Sequence, residues 1–201
     1  MRPRRPVTDV PRRRSILVIT EGTKTEPQYI KHWHRRYRSG AAVIVDTEAG
    51  TDPRSLVDAA LEELRAGRRQ ERRGKGSAYT SIWVVFDCDE HPHVKEQVDR
   101  ATNAGIRVAF SNPCVELWFL LHFVDQTAHI HRHAAQAACG ARIAQGKAIS
   151  QADLAHLEAE YATARQRAQA LTQRHIGDGS WEHANPSTSM WALIDEIIGE
   201  A

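Results

Sequence analysis

Acidic residues follow the apolar runs of this sequence in a pattern that could hold a metal ion. Glu21 comes directly after the first run, Asp87 and Asp89 come after the third, and Glu116 comes shortly after the fourth. Asp87 and Asp89 are two positions apart, so their side chains lie on the same side of an extended chain. Because parallel strands end at one edge of a sheet, the four carboxylates are expected to converge there. Without a cation they would repel one another, and their oxygens suit Mg²⁺ or Mn²⁺.

Each of these polar residues also has a simpler explanation. Glu21 is typical of a turn, one of the two aspartates can cap a helix expected from Pro92, and Glu116 can complement a helix N-terminus. Lys24 can either contact a phosphate group or lie exposed to solvent. The pattern therefore predicts a site at this edge and leaves the role of each residue open.

The elements that must position these residues are short β-branched runs that alternate with segments of helical period. Strands are predicted over residues 16–20, 42–46, 81–86 and 106–110. Helices are predicted to begin at Thr25, Asp52, Pro92 and Asn112. Thr25 and Gln28 fit a capping box, and residues 65–77 are predicted to form a basic loop. The alternation predicts an α/β fold, with a Rossmann-like parallel sheet of about four strands flanked by helices.

The rest of the chain is predicted to be a helical extension. One long amphipathic helix is expected from Ser150 through Leu171, and a last helix is expected from Asn185 or Ser187. Residues 126–147 have weak periodicity, which favours a further helix. The predicted organisation is a disordered basic tail over residues 1–14, a catalytic α/β domain over 15–125 and a helical extension over 126–201.

Three histidines, His129, His131 and His133, lie in the weakly periodic segment. Their spacing of two suits neither face of a helix, and no cysteine or acid supports them as metal ligands. We therefore expect these side chains to be solvated.

Positive charge is unevenly distributed, although the net charge is only +2. Six arginines lie in the first fourteen residues, and a second basic run covers residues 65–75. Such patches attract polyanions and bind phosphates by releasing counterions. Each run alone is also compatible with solvated surface. The residues predicted to contact a nucleic-acid backbone are Arg68, Arg69, Arg72, Arg73 and Lys75.

The composition excludes several classes of protein. The chain is 41% hydrophobic and 26% charged, unlike a disordered chain or a membrane protein. Its longest apolar stretch, residues 115–124, contains Glu116 and His122 and is far shorter than the roughly 20 residues of a membrane span. No secretory signal is evident, so we expect a cytoplasmic protein without membrane contact. Three widely spaced cysteines argue against a disulfide framework and a structural zinc site.

Four motifs stand in order along the chain. They are TEGTKTEP at residues 20–27, VVFDCDEH at 84–91, SNPCVELW at 111–118 and NPST at 185–188. Together they resemble the RloB-like family, over about residues 15 to 198. That family is related to the Toprim group of topoisomerases, DnaG-type primases and OLD-family nucleases, so the resemblance implies a Toprim-like fold.

The resemblance also implies roles for individual acids. Glu21 matches the Toprim glutamate, which is thought to act as a general acid or base or to join in metal binding. Asp87 and Asp89 match the pair that holds Mg²⁺, and Glu26 and Glu116 match family-specific acids. The fourth motif has no assigned role. Members of the family are associated with restriction–modification and phage-defence loci, so an ATPase of the RloA kind is an expected partner.

The leading hypothesis is a Mg²⁺- or Mn²⁺-dependent nuclease that hydrolyses phosphodiester bonds in DNA or RNA. The chain has no room for the accessory regions of a topoisomerase or a primase. In this scheme Asp87 and Asp89 bind metal, Glu21 binds metal or acts as a base, Glu116 is an auxiliary ligand and Lys24 steadies the phosphate.

Two other classes of function stay open. A haloacid-dehalogenase-like phosphatase would use Asp87 as a covalent nucleophile and Asp89 as an acid. Residues 90–92 lack the Thr or Val usual in that motif, and Glu21 would have no role in it. A non-catalytic nucleic-acid-binding or regulatory subunit of an ATPase-containing complex would use the arginines alone. An oligomer is compatible with each of these functions.

Overall fold

The computed structural model describes residues 14–37, 42–75, 79–88, 93–143 and 149–199. The strands are β1 (Ser15–Thr20), β2 (Ala42–Asp46), β3 (Ser81–Asp87), β4 (Arg107–Asn112) and β5 (Ser187–Thr188). They form one sheet in the order β2-β1-β3-β4-β5. The first four strands are parallel, and β5 pairs antiparallel with β4. The predicted α/β fold is confirmed, and β5 is an addition to the predicted strands.

Helices cover both faces of the sheet. They are α1 (Thr25–Tyr37), α2 (Pro53–Arg72), α3 (Val94–Ala104), α4 (Glu116–Leu120), α5 (Arg132–Gly140), α6 (Gln151–Ala159), α7 (Tyr161–Gly177) and α8 (Met190–Ile198). Ile16 and Val18 of β1 pack in one core with residues of α1, α4, α7 and α8. Leu17 and Ile19 pack in a second core with residues of α2 and α3. This alternation is that of a strand buried on both faces.

Helix α2 is longer than predicted. It begins as expected, because the Asp52 side chain accepts a hydrogen bond from the Ser55 N–H at 3.1 Å and Pro53 stands in the first turn. It then continues to Arg72, so residues 65–72 are helical and the predicted basic loop is wrong. Arginine, glutamine and glutamate are good helix formers, and a basic composition alone does not end a helix.

Two predicted helix caps are also wrong. The Gln28 side chain accepts from the Ile149 N–H at 2.8 Å and donates to the Ile149 carbonyl at 2.6 Å, instead of completing a capping box with Thr25. Asn112 is the last residue of β4, and its Nδ2 donates to the His183 carbonyl at 2.9 Å. In both cases a tertiary hydrogen bond takes the side chain that a local cap would use.

The C-terminal helices are divided differently from the prediction. The long helix expected from residue 150 consists of α6, which Ser150 caps, and α7, which follows after Glu160. The last helix begins at Met190, because residues 187–188 pair with β4. The helix expected in residues 126–147 is present as α5.

Other expectations concern the membrane, the cysteines and the tail. No helix in the described residues is long and apolar enough to cross a membrane. Cys88, Cys114 and Cys139, all within the described residues, form no disulfide bonds. Most of the predicted basic tail, residues 1–13, lies outside the described residues.

Candidate active site

Glu21 and Asp87 lie side by side at the carboxyl ends of β1 and β3. The strand register pairs Thr20 with Val85, and the Glu21 N–H donates to the Val85 carbonyl at 3.0 Å. A carboxylate oxygen of Glu21 accepts a hydrogen bond from the Asp87 N–H at 3.2 Å. Parallel pairing thus brings together two acids that are far apart in the sequence.

The carboxylate of Glu26 lies directly over Gly22. Glu26 is in the first turn of α1, and a Cβ atom on Gly22 would collide with the Glu26 carboxylate. The backbone N–H groups of Gly22 and of Glu26 itself donate to this carboxylate. Glycine therefore allows the close approach of this carboxylate, and a larger residue would displace the flexible end of the Glu26 side chain. Sequence reasoning found Glu26 only through the family resemblance, although the glycine four positions before it is a usable signal.

Glu116 reaches the same edge from β4. It is the first residue of α4, and the N–H of the preceding residue, Val115, donates to Asp87. The Cys114 thiol hydrogen-bonds with Glu116, and burial raises the pKa of this thiol, with the charge of Glu116 as the next cause. Cys114 is therefore a neutral donor. The turn between β4 and α4 supplies both an acid and a backbone contact to Asp87.

The carboxylates repel one another. Burial, followed by the charges of Glu26, Glu21 and Glu116, raises the pKa of Asp87 well above its usual value. Burial and the charges of Glu116 and Glu21 raise the pKa of Glu26, against hydrogen bonds that lower it. Within the described residues, neither Glu26, Asp87 nor Glu116 forms an ion pair with a basic side chain. Such a cluster is stabilised by protons or by a cation.

The donor set of this cluster, all carboxylate oxygens, fits a hard divalent cation. As the side chains stand, no three Asp, Glu, His or Cys residues of the described ranges converge closely enough to hold one ion. A shared ion would therefore require the carboxylates to rotate toward one another. Asp89, the other predicted ligand, lies outside the described residues. Lys24 is exposed, on the same loop as Glu21.

The predicted nucleic-acid-binding residues are not beside the acids. Helix α2 begins after β2, at the carboxyl edge of the sheet, and runs back to the amino edge, where β3 begins. Its 20 residues span about 30 Å. The exposed side chains at and just beyond its far end include Arg68, Arg69, Arg72, Arg73 and Lys75. The structure thus separates two groups that the sequence-based scheme assigned to one site.

A cavity of about 610 Å³ lies at the same edge of the sheet as the acids. One wall contains Cys88, which directly follows Asp87 in the chain, and Asn112 at the end of β4. A second wall, formed by the chain before and at the start of α5, contains His129, His131, Arg132 and His133. The three histidines are exposed, which confirms that they are solvated, but sequence reasoning did not expect them near the acids.

Asn185 ties the two walls of this cavity together. Its Oδ1 accepts from the Ile130 N–H at 3.0 Å, and its Nδ2 donates to the Ile130 carbonyl at 2.9 Å and to the Asn112 Oδ1 at 3.2 Å. Nearby, the hydroxyl groups of Ser111 and Thr188 pair at 3.0 Å. The fourth motif therefore holds the carboxyl end of β4 against the segment that precedes α5. Each asparagine stands before a proline in the sequence, and this repeated Asn-Pro step is a signal that could have linked the two motifs.

Comparison with known proteins gives one match. A family model described as RloB-like protein matches residues 16–197, which include every acid of the cluster. Neither the curated proteins nor the solved structures contain a match.

Proposed function

The chain belongs to the RloB-like protein family, and on that premise we propose that it is a Mg²⁺- or Mn²⁺-dependent nuclease. The observation that carries the proposal is the cluster formed by Glu21, Glu26, Asp87 and Glu116 at the carboxyl edge of a parallel sheet. This edge is where such sheets bind ligands. Buried carboxylates that only stabilise a fold are normally paired, whereas repelling acids with raised pKa values are typical of functional sites.

Each residue has a part in the proposed hydrolysis. A divalent cation on Asp87, Glu21 and Glu116, with Asp89 as a further ligand, would stabilise charge on the scissile phosphate and activate water. The Val115 N–H orients Asp87 by a hydrogen bond.

Glu26 is the proposed proton donor to the leaving oxygen. Its raised pKa favours a proton on its carboxyl group, and general acids in enzymes are tuned in this direction. The Gly22 N–H orients this carboxyl group. The exposed Lys24 would contact a phosphate of the substrate from the same loop.

Other parts of the proposal are supported by the family resemblance alone. They are the relation to the Toprim group, a role in phage defence and an ATPase partner of the RloA kind. A location in the cytoplasm is proposed from the sequence, which shows no secretory signal. The exposed arginines at the far end of α2 favour a second candidate, a nucleic-acid-binding subunit in which chemistry occurs in a partner.

The experiment that tests the proposal is cleavage of a substrate panel by the purified protein. The panel contains plasmid DNA, single-stranded DNA, structured RNA and bulk transfer RNA, each with Mg²⁺, Mn²⁺ or EDTA. We expect cleavage of one substrate class with a divalent ion, loss of cleavage in EDTA and loss of cleavage in the double variant Asp87→Ala/Asp89→Ala.

The matched control is Glu96→Gln/Asp99→Asn, which changes two exposed acids of α3. This control should cleave like the wild type. Metal-dependent cleavage that survives in Asp87→Ala/Asp89→Ala would overturn the proposal. Binding without cleavage by the wild type, unaffected by EDTA, would support the nucleic-acid-binding subunit instead.

A further inference from the structure

The cavity beside the acids combines three kinds of lining group. Imidazole rings come from His129 and His131, whose ring centroids are 5.0 Å apart at an angle of 75°. A guanidinium group comes from Arg132, and apolar surface comes from Ile130 and a proline. No Asp or Glu is among the described residues that line it. The guanidinium group gives this wall a positive charge that can attract an anion.

These groups match the parts of a nucleotide. Aromatic rings, including histidine, stack on bases, and a guanidinium group binds phosphate through charge-assisted hydrogen bonds. Arg132 is the first residue of α5, so the phosphate would also lie near the positive end of a helix. The volume of about 610 Å³ is in the range of small-ligand sites.

The cavity walls are held in place by the fold. Asn185 makes two hydrogen bonds to the backbone of Ile130 and one to Asn112, so the histidine segment is fixed to the end of β4. Cys88 lines the cavity and is the next residue after Asp87. A group bound in the cavity therefore lies at the same edge of the sheet as the proposed catalytic acids.

We propose that this cavity binds one nucleotide of the substrate strand, adjacent to the phosphodiester that is hydrolysed. The inference rests on the proposed function for the identity of the strand. It assigns to Arg132 the backbone phosphate and to His129 and His131 the base. These side chains, rather than the arginines of α2, then position the strand at the acids.

The test is binding of a fluorescein-labelled single-stranded oligonucleotide in EDTA, measured by anisotropy, with DNA and RNA versions. We expect Arg132→Gln and His129→Gln/His131→Gln each to raise Kd by roughly tenfold, the size of one lost stacking or phosphate contact. The matched control is Arg142→Gln, beyond the other end of α5, whose side chain donates to the Ala138 carbonyl. The Kd of this variant should stay within about twofold of the wild-type value, because the loss of one exposed charge outside the site has a small effect.

Parallel cleavage assays separate this inference from the proposed function. If Arg132→Gln binds like the wild type while Glu21→Gln abolishes cleavage, the cavity assignment is overturned and the nuclease proposal stands. If Arg132→Gln binds weakly while no metal-dependent cleavage is found, the cavity assignment stands and the nuclease proposal is overturned. Adenosine monophosphate is added as a competitor. If it displaces the oligonucleotide at a concentration no higher than that of the oligonucleotide itself, the cavity is a site for free nucleotides and the assignment to a strand is overturned.

Discussion

Two groups of acids stand at opposite ends of the same sheet and differ in how their charge is compensated. At the amino end, Glu196 accepts hydrogen bonds from Ser81 Oγ at 2.6 Å, Trp83 Nε1 at 2.7 Å and Arg107 Nη1 at 2.7 Å. At the carboxyl end, Asp87 has acids around it, and their charges raise its pKa further than burial alone. Both carboxylates are largely removed from water, but among the residues that the structure describes only the first is paired with a cation.

The difference separates acids that hold the fold from acids that cost it stability. A buried carboxylate is satisfied when it is paired with a cation and with neutral donors. Glu196 has Arg107 and two donors, and the neighbouring Asp195 has Arg165 and the Tyr161 hydroxyl. Ionisation of Asp87 and Glu26 instead costs folding free energy, as their raised pKa values indicate. Such a cost is expected where the charges are used by a ligand, which is why we place the chemistry at the carboxyl end.

The largest effect on cleavage is expected when the Asp87 carboxylate is replaced by the neutral amide of asparagine. We expect Asp87→Asn to lower metal-dependent cleavage by about 100-fold or more, the size found when a group that stabilises transition-state charge is removed. In the metal-free protein at neutral pH the same change should raise the denaturation midpoint, because repulsion with Glu21, Glu26 and Glu116 is relieved. Cleavage rates and urea denaturation of one preparation measure both.

The contrast between the two ends of the sheet is wrong if Asp87→Asn lowers both the cleavage rate and the denaturation midpoint. Loss of cleavage with loss of stability would mean that Asp87 supports the fold as Glu196 does. The matched isosteric control is Asp99→Asn on the exposed face of α3, which should change neither readout.

The second effect concerns the amino end, where we expect a substitution to lower stability and leave cleavage almost unchanged. Glu196→Gln should lower the free energy of unfolding by about 2 kcal/mol, since it removes a charge from three donors and leaves buried donors poorly paired. Cleavage at a temperature well below the unfolding midpoint should stay within about twofold of the wild type. A stability unchanged by Glu196→Gln in urea denaturation would contradict the contrast between the two ends.

The third effect concerns the distance between Gly22 and Glu26. Gly22→Ala places a methyl group where the Glu26 carboxylate lies, so the carboxylate must move. We expect the cleavage rate to fall by roughly tenfold, because a catalytic group that is displaced from its reactive position loses part of its effect. If Glu26 has no role, Gly22→Ala and Glu26→Gln will both cleave like the wild type. If Glu26 acts, combining the two changes should cost little more than either alone.

The parts of this site that lie on regular elements could be predicted from the sequence. The buried runs of β1 and β3 have a clear β-branched signal, and parallel strands end at one edge, so the meeting of Glu21 and Asp87 followed from general rules. Helix α2 was shortened in the prediction because its second half has few apolar residues, although its residues favour helix.

The parts that depend on long-range side-chain contacts could not be predicted. Strand β5 is two residues long and has no periodicity. Asn185 binds the backbone of Ile130, 55 residues earlier, through contacts that exist only once the fold has formed. The cavity near the acids therefore required the structure, and the same holds for the separation of the α2 arginines from the acids.

The smallest effect is expected when pH or a divalent ion changes the stability of the protein. Its direction tests whether the negative charges at the carboxyl end destabilise the fold. The pKa values of Asp87 and Glu26 are higher in the folded protein than their ordinary values of 3.8 and 4.5. Between the ordinary and the raised values the folded state binds more protons than the unfolded state. The stability of the metal-free protein should therefore fall as pH rises through this window, with the full cost present above it.

A divalent ion competes with these protons, so its stabilising effect should have the opposite pH dependence. We expect Mn²⁺ to raise the thermal midpoint by a few degrees at about pH 8 and by much less at about pH 5. The Asp87→Asn variant should lose most of this difference, whereas Glu196→Gln should keep it, because Glu196 is paired with Arg107. If Mn²⁺ shifts the thermal midpoint equally at both pH values, the ion binds elsewhere. The repulsion among the acids at the carboxyl end would then have no cation to offset it.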